Sequence, residues 1–167
     1  MADDSYGDLA RTADDRAEIE ALVHEYCFRL DAGDLDGVAA LFEHATMGTS
    51  NRPDRLRGAE EVRTNYDGVI LYDDGRPATM HCIANLAITV ERVGDQVYRR
   101  ATSRCYFTVS QSRPDFELRP ILAGRYHDRF EKVDGASAWR FAERIIHPDR
   151  IGDLSRHMVP GRVAPPR

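Results

Sequence analysis

No apolar run in this sequence approaches the roughly 18 residues that a bilayer-spanning helix requires. The N-terminal stretch MADDSYGDLART has neither a basic region nor an apolar one, so it does not read as a secretory leader. Both absences point to a cytoplasmic protein. Cysteine is scarce: Cys27, Cys82 and Cys105 are the three, and none pairs in a C-x-x-C spacing. An odd count in helix-like or strand-like runs excludes a disulfide framework and reads as small buried hydrophobes in a reducing compartment. There is no basic excess either. The net charge is −5, which favours solubility and speaks against a nucleic-acid partner.

Signatures of metal and nucleotide chemistry are missing as well. The six histidines, His24, His44, His81, His127, His147 and His157, show no H-E-x-x-H or comparable ligand spacing, so no metal is expected. The stretch DLDG at Asp34–Gly37 opens no calcium-loop pattern and reads as a helix start. The chain has no serine nucleophile elbow, no G-x-G-x-x-G and no Walker loop.

What is present is one ordinary domain: 167 residues, 42% hydrophobic and 31% charged, enough to bury a core. Residues 1–12 are acidic and poor in apolar content, which predicts a loose tail. From Asp14 the spacing of Ile19, Leu22, Val23, Tyr26 and Leu30 predicts a helix, ended by Gly33. Asp34 then caps a short second helix carrying Leu35, Val38 and Leu41-Phe42. TSNRPDRLRG reads as loop and AEEVRTNYDGVILY as helix.

After DDGRP the period changes. Four segments, Ala78–Arg92, Gln96–Ser110, Glu117–Lys132 and Ala138–Pro148, read as strands joined by VGD, QSRPDF and VDGAS. Pro120 fits a strand only near its start, at an edge or at a bulge. VPGRVAPPR at 159–167 is a Pro-rich irregular tail, leaving 13–158 as a single domain. Helices followed by an antiparallel meander define an α+β fold. Such long strands coil strongly, so the sheet is expected to wrap the N-terminal helices as a cone-shaped α+β barrel with a cavity in its concave face.

Two residues raise a chemical question. On the first helix Asp31 falls just past the apolar arc and in the last turn, where burial and the helix dipole both oppose a negative charge. Either it is an exposed turn residue in LDAGD, or something compensates it. The strand TMHCIANLAITV opens with His81, which reads either as a hydrogen-bonded structural residue or as that partner. Strand parity puts Met80, Cys82, Ala84, Leu86, Ile88 and Val90 on one apolar face, opposite His81. That face needs cover, so a homo-oligomer is expected.

If the two meet, Asp31 fixes the tautomer of His81 and stabilises the imidazolium formed when the ring takes a proton. Tyr26, about one and a half turns earlier, offers a phenol to a carbonyl or leaving group. Arg104 and Arg125 either stabilise a developing oxyanion or sit in surface ion pairs. Phe28, Phe42, Tyr106 and Trp139 are candidates for an aromatic pocket.

The segments YCFRLDAGDLDGVAALF, TMHCIANLAIT, LAGRYHDRFEKVDGASAWRFAERI and IGDLSRHM resemble the nuclear transport factor 2-like fold, and within it the SnoaL-like group, from Asp15 to Met158. The members it looks most like are scytalone dehydratase, hexachlorocyclohexane dehydrochlorinase and bile acid 7α-dehydratase. The resemblance implies a catalytic dyad of Asp31 and His81, a helper at Tyr26, a small-molecule substrate, no cofactor and a homo-oligomer, commonly a trimer. Arg104, Arg125 and His127 compete for the third polar role. The function implied is a cofactor-independent dehydratase-type lyase. An isomerase or polyketide-type cyclase using the same base, and a non-catalytic binder of small ligands, are the alternatives.

Overall fold

The computed structural model describes residues 4–91, 98–133 and 138–161. Helix α1 spans Asp4–Ala32, α2 Leu35–Ala40 and α3 Gly58–Thr64. The strands are β1 Thr46–Thr49, β2 Leu56–Arg57, β3 Thr79–Glu91, β4 Tyr98–Arg113, β5 Phe116–Val133 and β6 Arg140–Ile151. They form a single open sheet in the order β2-β1-β6-β5-β4-β3. All neighbours are antiparallel except β1 and β6, which run parallel and make the sheet mixed. This is the expected α+β cone with its N-terminal helices against the concave face. No helix among the described residues is long and apolar enough to cross a membrane.

Helix α1 starts earlier than its apolar spacing requires. Residues 4–12, expected in a loose tail, belong to it. Low hydrophobicity alone does not prevent a helix from extending N-terminally once the following turns are packed. Its other end is as expected: Gly33 adopts φ +79°, with the Gly33 and Asp34 amides bonding back to Leu30 and Arg29. Asp34 caps α2 through a bond from the Gly37 amide.

In TSNRPDRLRG the expected loop contains β2 and the end of β1. Pieces of four and two residues are too short to carry an alternating pattern, and pairing decides them: β1 with β6, and β2 with β1. The QSRPDF connection is a hairpin turning at Pro114-Asp115. VGD, and VDGAS beyond Val133, lie outside the described residues. Pro120 sits where the β4–β5 register shifts, at a bulge that leaves Ile121 unpaired.

Another bulge overturns the expected parity of β3. The register against β4 slips between Ala84 and Ala87, and Asn85 takes φ +54°. Asparagine tolerates that left-handed conformation better than most residues. The inward face is therefore Thr79, His81 and Ile83 before the bulge, then Leu86, Ile88 and Val90 after it. Met80, Cys82 and Ala84 face outward. Cys82 is thus exposed, unlike the buried Cys27 and Cys105.

The core joins aromatic rings from every layer. Tyr26 meets Phe42 and Tyr126 edge-on, Phe42 stacks on Phe141, and Phe107 stacks on Tyr126. Amid them lies a fully buried ion pair, Arg144 with Asp128, closed by two hydrogen bonds of 2.8 and 2.7 Å. The guanidinium covers the Tyr26 and Tyr126 rings at 4.1 and 4.3 Å from their centroids.

Candidate active site

The last turn of α1 and the first residues of β3 meet at Asp31. Its carboxylate accepts from the Thr79 hydroxyl at 2.7 Å, from the His81 backbone amide at 2.7 Å and from His81 Nδ1 at 2.6 Å. The side chains of His81 and Asp31 are 8% and 21% exposed, so the contact is largely screened from water. Burial pushes the Asp31 carboxyl up, but the hydrogen bonds and charge of His81 and the Thr79 hydroxyl outweigh it and hold the group below its ordinary value. The two penalties on Asp31 are met by donors from one strand.

With Nδ1 committed to Asp31, His81 is left with Nε2 as its other nitrogen, and the ring lines a cavity of about 540 Å³. That volume is typical of small-molecule sites. The walls are mostly apolar, with Leu30, Val69, Phe107 and Leu122 among them. Tyr26 also reaches the cavity, where its hydroxyl lies 3.1 Å from that of Tyr66. Burial raises both phenols, and the charge of Arg144, whose guanidinium covers the Tyr26 ring, opposes the rise only in part. Both stay protonated; one donates to the other, and the Tyr66 hydroxyl also lies 3.4 Å from Met47 Sδ, to which it can donate.

His157 lines the same cavity. It sits on a C-terminal strap: the Ile70 amide bonds to its carbonyl and the Val159 amide to that of Gly68. Gln111 Nε2 ties the strap down further, donating to the carbonyls of Pro77 and Arg156. The His157 Nδ1 is sealed from solvent and has no hydrogen-bond partner among the described residues. Burial, helped by the neighbouring His81 and opposed by Asp31, pulls the ring from 6.5 down to about 4.

That shift has a consequence for stability. Between pH 6.5 and about 4 the unfolded chain takes up a proton at His157 that the folded chain refuses, so stability falls as the pH is lowered through this window. The full loss is on the order of 3 kcal/mol. His157→Gln is expected to remove this component, visible as a flatter acid limb in denaturant-unfolding curves taken across the window. Asp31 acts separately. Its lowered value stabilises the fold above the ordinary 3.8, and that contribution is lost as the pH falls through the lowered value.

The structure brings together Asp31, His81 and Tyr26 but not the remaining expected residues. On β4 the buried positions are odd-numbered and on β5, from Gly124 onward, even-numbered, so Arg104, Tyr106, Arg125 and His127 are directed to the outer face. Tyr106 is 54% exposed. Arg125 is held by Asp149 at 2.7 and 2.9 Å, and His127 packs against His147. Phe28 lies on the solvent side of α1, 71% exposed. Phe42 and Trp139 are buried but do not line the cavity, and Trp139 Nε1 donates to Asp15. The added polar groups are Tyr66 and His157. Tyr66 lies four residues after the buried Val62, just past the end of α3, inside the segment AEEVRTNYDGVILY that reads as helix. His157 is one of the six histidines and lies in IGDLSRHM, with no spacing that singles it out.

Among the described residues no group of three or more His, Cys, Asp or Glu side chains is placed to hold a metal ion. Burial pushes the Cys27 thiol up to about 12 and the Cys105 thiol to about 11, so both are poor nucleophiles.

A helix-filled cone with a carboxylate–histidine pair at its cavity defines a class of small-molecule site. Residues 11–145 match the model of the SnoaL-like domain, and the chain belongs to that family. Among solved structures it is similar to a nuclear transport factor 2-like protein with a cystatin-like fold from Novosphingobium aromaticivorans, at 21% identity and TM-score 0.69 over 93% of this chain and 96% of that one. A candidate scytalone dehydratase from the same organism is 22% identical with TM-score 0.62, covering 85% of this chain and 89% of that one. The β subunit of a candidate aromatic-ring-hydroxylating dioxygenase, also from that organism, is 20% identical with TM-score 0.61 over 86% and 93%. No curated protein matches the sequence. The solved structures that share this fold thus include a candidate dehydratase and a candidate ring-hydroxylating dioxygenase subunit.

Proposed function

We propose that the chain is a cofactor-independent lyase that eliminates water, or a comparable leaving group, from a small, largely apolar cyclic substrate. The observation that carries this reading is the Asp31 carboxylate, whose three short hydrogen bonds all come from Thr79 and His81. They fix the ring with Nδ1 protonated, so Nε2 is left as a base in a mostly apolar cavity.

His81 Nε2 takes a proton from a carbon next to a carbonyl, and the C–H electron pair moves into the forming enolate. Asp31 stabilises the imidazolium without itself taking the proton. Tyr26 and Tyr66 share one hydrogen bond, so one of the two hydroxyls donates to the enolate oxygen, where charge develops, while the other donates to that hydroxyl. The enolate then re-forms the carbonyl, a C=C bond forms and the C–O bond to the β-hydroxyl breaks. The departing hydroxide collects the proton from the imidazolium and leaves as water. His81 returns to its starting state, and the net change is one water lost from the substrate.

The test is a screen of β-hydroxylated cyclic ketones with product mass as the readout. Loss of water in the wild type, abolished in His81→Ala, supports elimination. A product of unchanged mass that also depends on His81 assigns an isomerase instead. Ligand bound and recovered unchanged, with affinity indifferent to Asp31→Asn and His81→Ala, replaces the lyase with a binding protein.

A further inference from the structure

Buried polar side-chain atoms in a folded protein almost always find a partner. Here Thr49 Oγ1 and Asn51 Oδ1 are both sealed from solvent with no hydrogen-bond partner among the described residues, and both residues line the cavity. Their backbone is not loose. The Ser50 amide bonds to the Ile146 carbonyl at 2.9 Å, and the Arg52 amide to the Thr49 carbonyl at 3.2 Å, so the turn leaving β1 is tied to β6. The side chains are presented by a fixed scaffold, and the fold gives them nothing to bond.

Their position relative to His81 follows from the sheet order. Between β1 and β3 stand β6, β5 and β4. Four steps at the usual spacing between strands separate them by roughly 19 Å measured along the sheet. Because the sheet curls, both ends line one cavity. His81 and the Thr49/Asn51 pair therefore stand on different walls of the same space.

We propose that Thr49 and Asn51, after a side-chain rotation that brings Oγ1 and Oδ1 to the cavity surface, anchor a second oxygen of the substrate, a hydroxyl, at the end opposite the carbon that His81 deprotonates. Asn51 Oδ1 can only accept, so the group it meets must carry a hydrogen. The Thr49 hydroxyl both donates and accepts, and it complements the oxygen of that same group. A methyl would leave both atoms unpaired, and a carboxylate would set oxygen against oxygen at Asn51. Arg52, which also borders the cavity, is the residue that would favour a carboxylate instead. The substrate is thus elongated, apolar in its middle and oxygenated at both ends. This inference rests on reading the cavity as the substrate site, but not on the reaction performed there.

The test uses binding rather than turnover. Biphenyl-4-ol and 4,4′-biphenol differ only in the second hydroxyl, and 4′-hydroxybiphenyl-4-carboxylate carries the anion in its place. Calorimetry on the wild type is expected to show the diol binding about tenfold tighter than the mono-ol, the worth of about one good hydrogen bond. Thr49→Val keeps the shape of the side chain, and with Asn51→Leu, each variant made separately, it is expected to bring that ratio towards one. In the wild type, the Asn51 side-chain amide NMR signals should shift with the diol and not with the mono-ol, a readout that needs no variant. Equal affinity of diol and mono-ol, including undetectable binding of both, overturns the anchor. So does a preserved ratio in both variants, or tighter binding of the carboxylate than of the diol. If the lyase chemistry fails while the diol ratio behaves as expected, the anchor stands alone. If turnover is found and the ratio fails, only the anchor falls.

Discussion

His81→Ala is expected to lower turnover about 10²- to 10⁴-fold, the usual worth of a positioned general base. Asp31→Asn should cost a similar factor for a different reason. The carboxylate now accepts three bonds with two oxygens. An asparagine has one acceptor oxygen and turns two hydrogens toward the donors that remain. The least costly adjustment moves the His81 proton from Nδ1 to Nε2, so that Nδ1 accepts from the amide. The ring would stay in place while its free base disappeared. Single-turnover kinetics separate the two cases from a binding defect: both variants should lose the chemical step and keep most of their substrate affinity. Turnover within twofold of wild type in either variant would remove the dyad from the mechanism.

The second large effect lies beneath the site. Asp128→Asn would leave the Arg144 guanidinium buried without its counter-charge, since the pair is fully shielded from solvent. Breaking such a pair costs about 3–5 kcal/mol, which for a domain of this size corresponds to a melting temperature lower by roughly 6–20 °C. Calorimetric unfolding measures this directly. The double change Asp128→Leu with Arg144→Met should recover much of the loss, because well-packed apolar residues often replace a buried pair at little cost. It would also take away the cation covering the Tyr26 ring, whose charge draws the Tyr26 and Tyr66 phenols towards ordinary acidity. A double variant that is stable but slower would assign Arg144 an electrostatic role in addition to its structural one.

Much of this arrangement was legible in the chain. The apolar arc on α1 set which face of the helix is buried, and the Gly33 stop placed Asp31 in the last turn, where a charge needs compensation. A strand opening with histidine supplied the partner. Legibility ended where tertiary pairing overrode local pattern. Asn85 hosts a bulge that no alternation of apolar residues announces, and it moved Leu86, Ile88 and Val90 to the side of His81. Arg104, Tyr106 and Arg125 looked like site residues because strand position was read without the direction each side chain takes. Thr49 and Asn51 were hidden in a segment read as loop, since pairing with β6 alone makes its beginning a strand. His157 belongs to a strap whose path depends on distant carbonyl and amide partners on the segment before β3.

The dyad makes one claim that can be checked before any substrate is known: the proton of the neutral His81 ring sits on Nδ1. Nitrogen-15 NMR of the side-chain imidazoles in alkaline solution, where an ordinary histidine is neutral, reads the tautomer directly. The His81 signals are assigned by their loss in His81→Ala. The expected result is a protonated Nδ1 and a bare Nε2 in the wild type, with the opposite tautomer in Asp31→Asn. A wild-type ring protonated at Nε2, or the same tautomer with and without the carboxylate, would show that Asp31 does not set His81 up as a base.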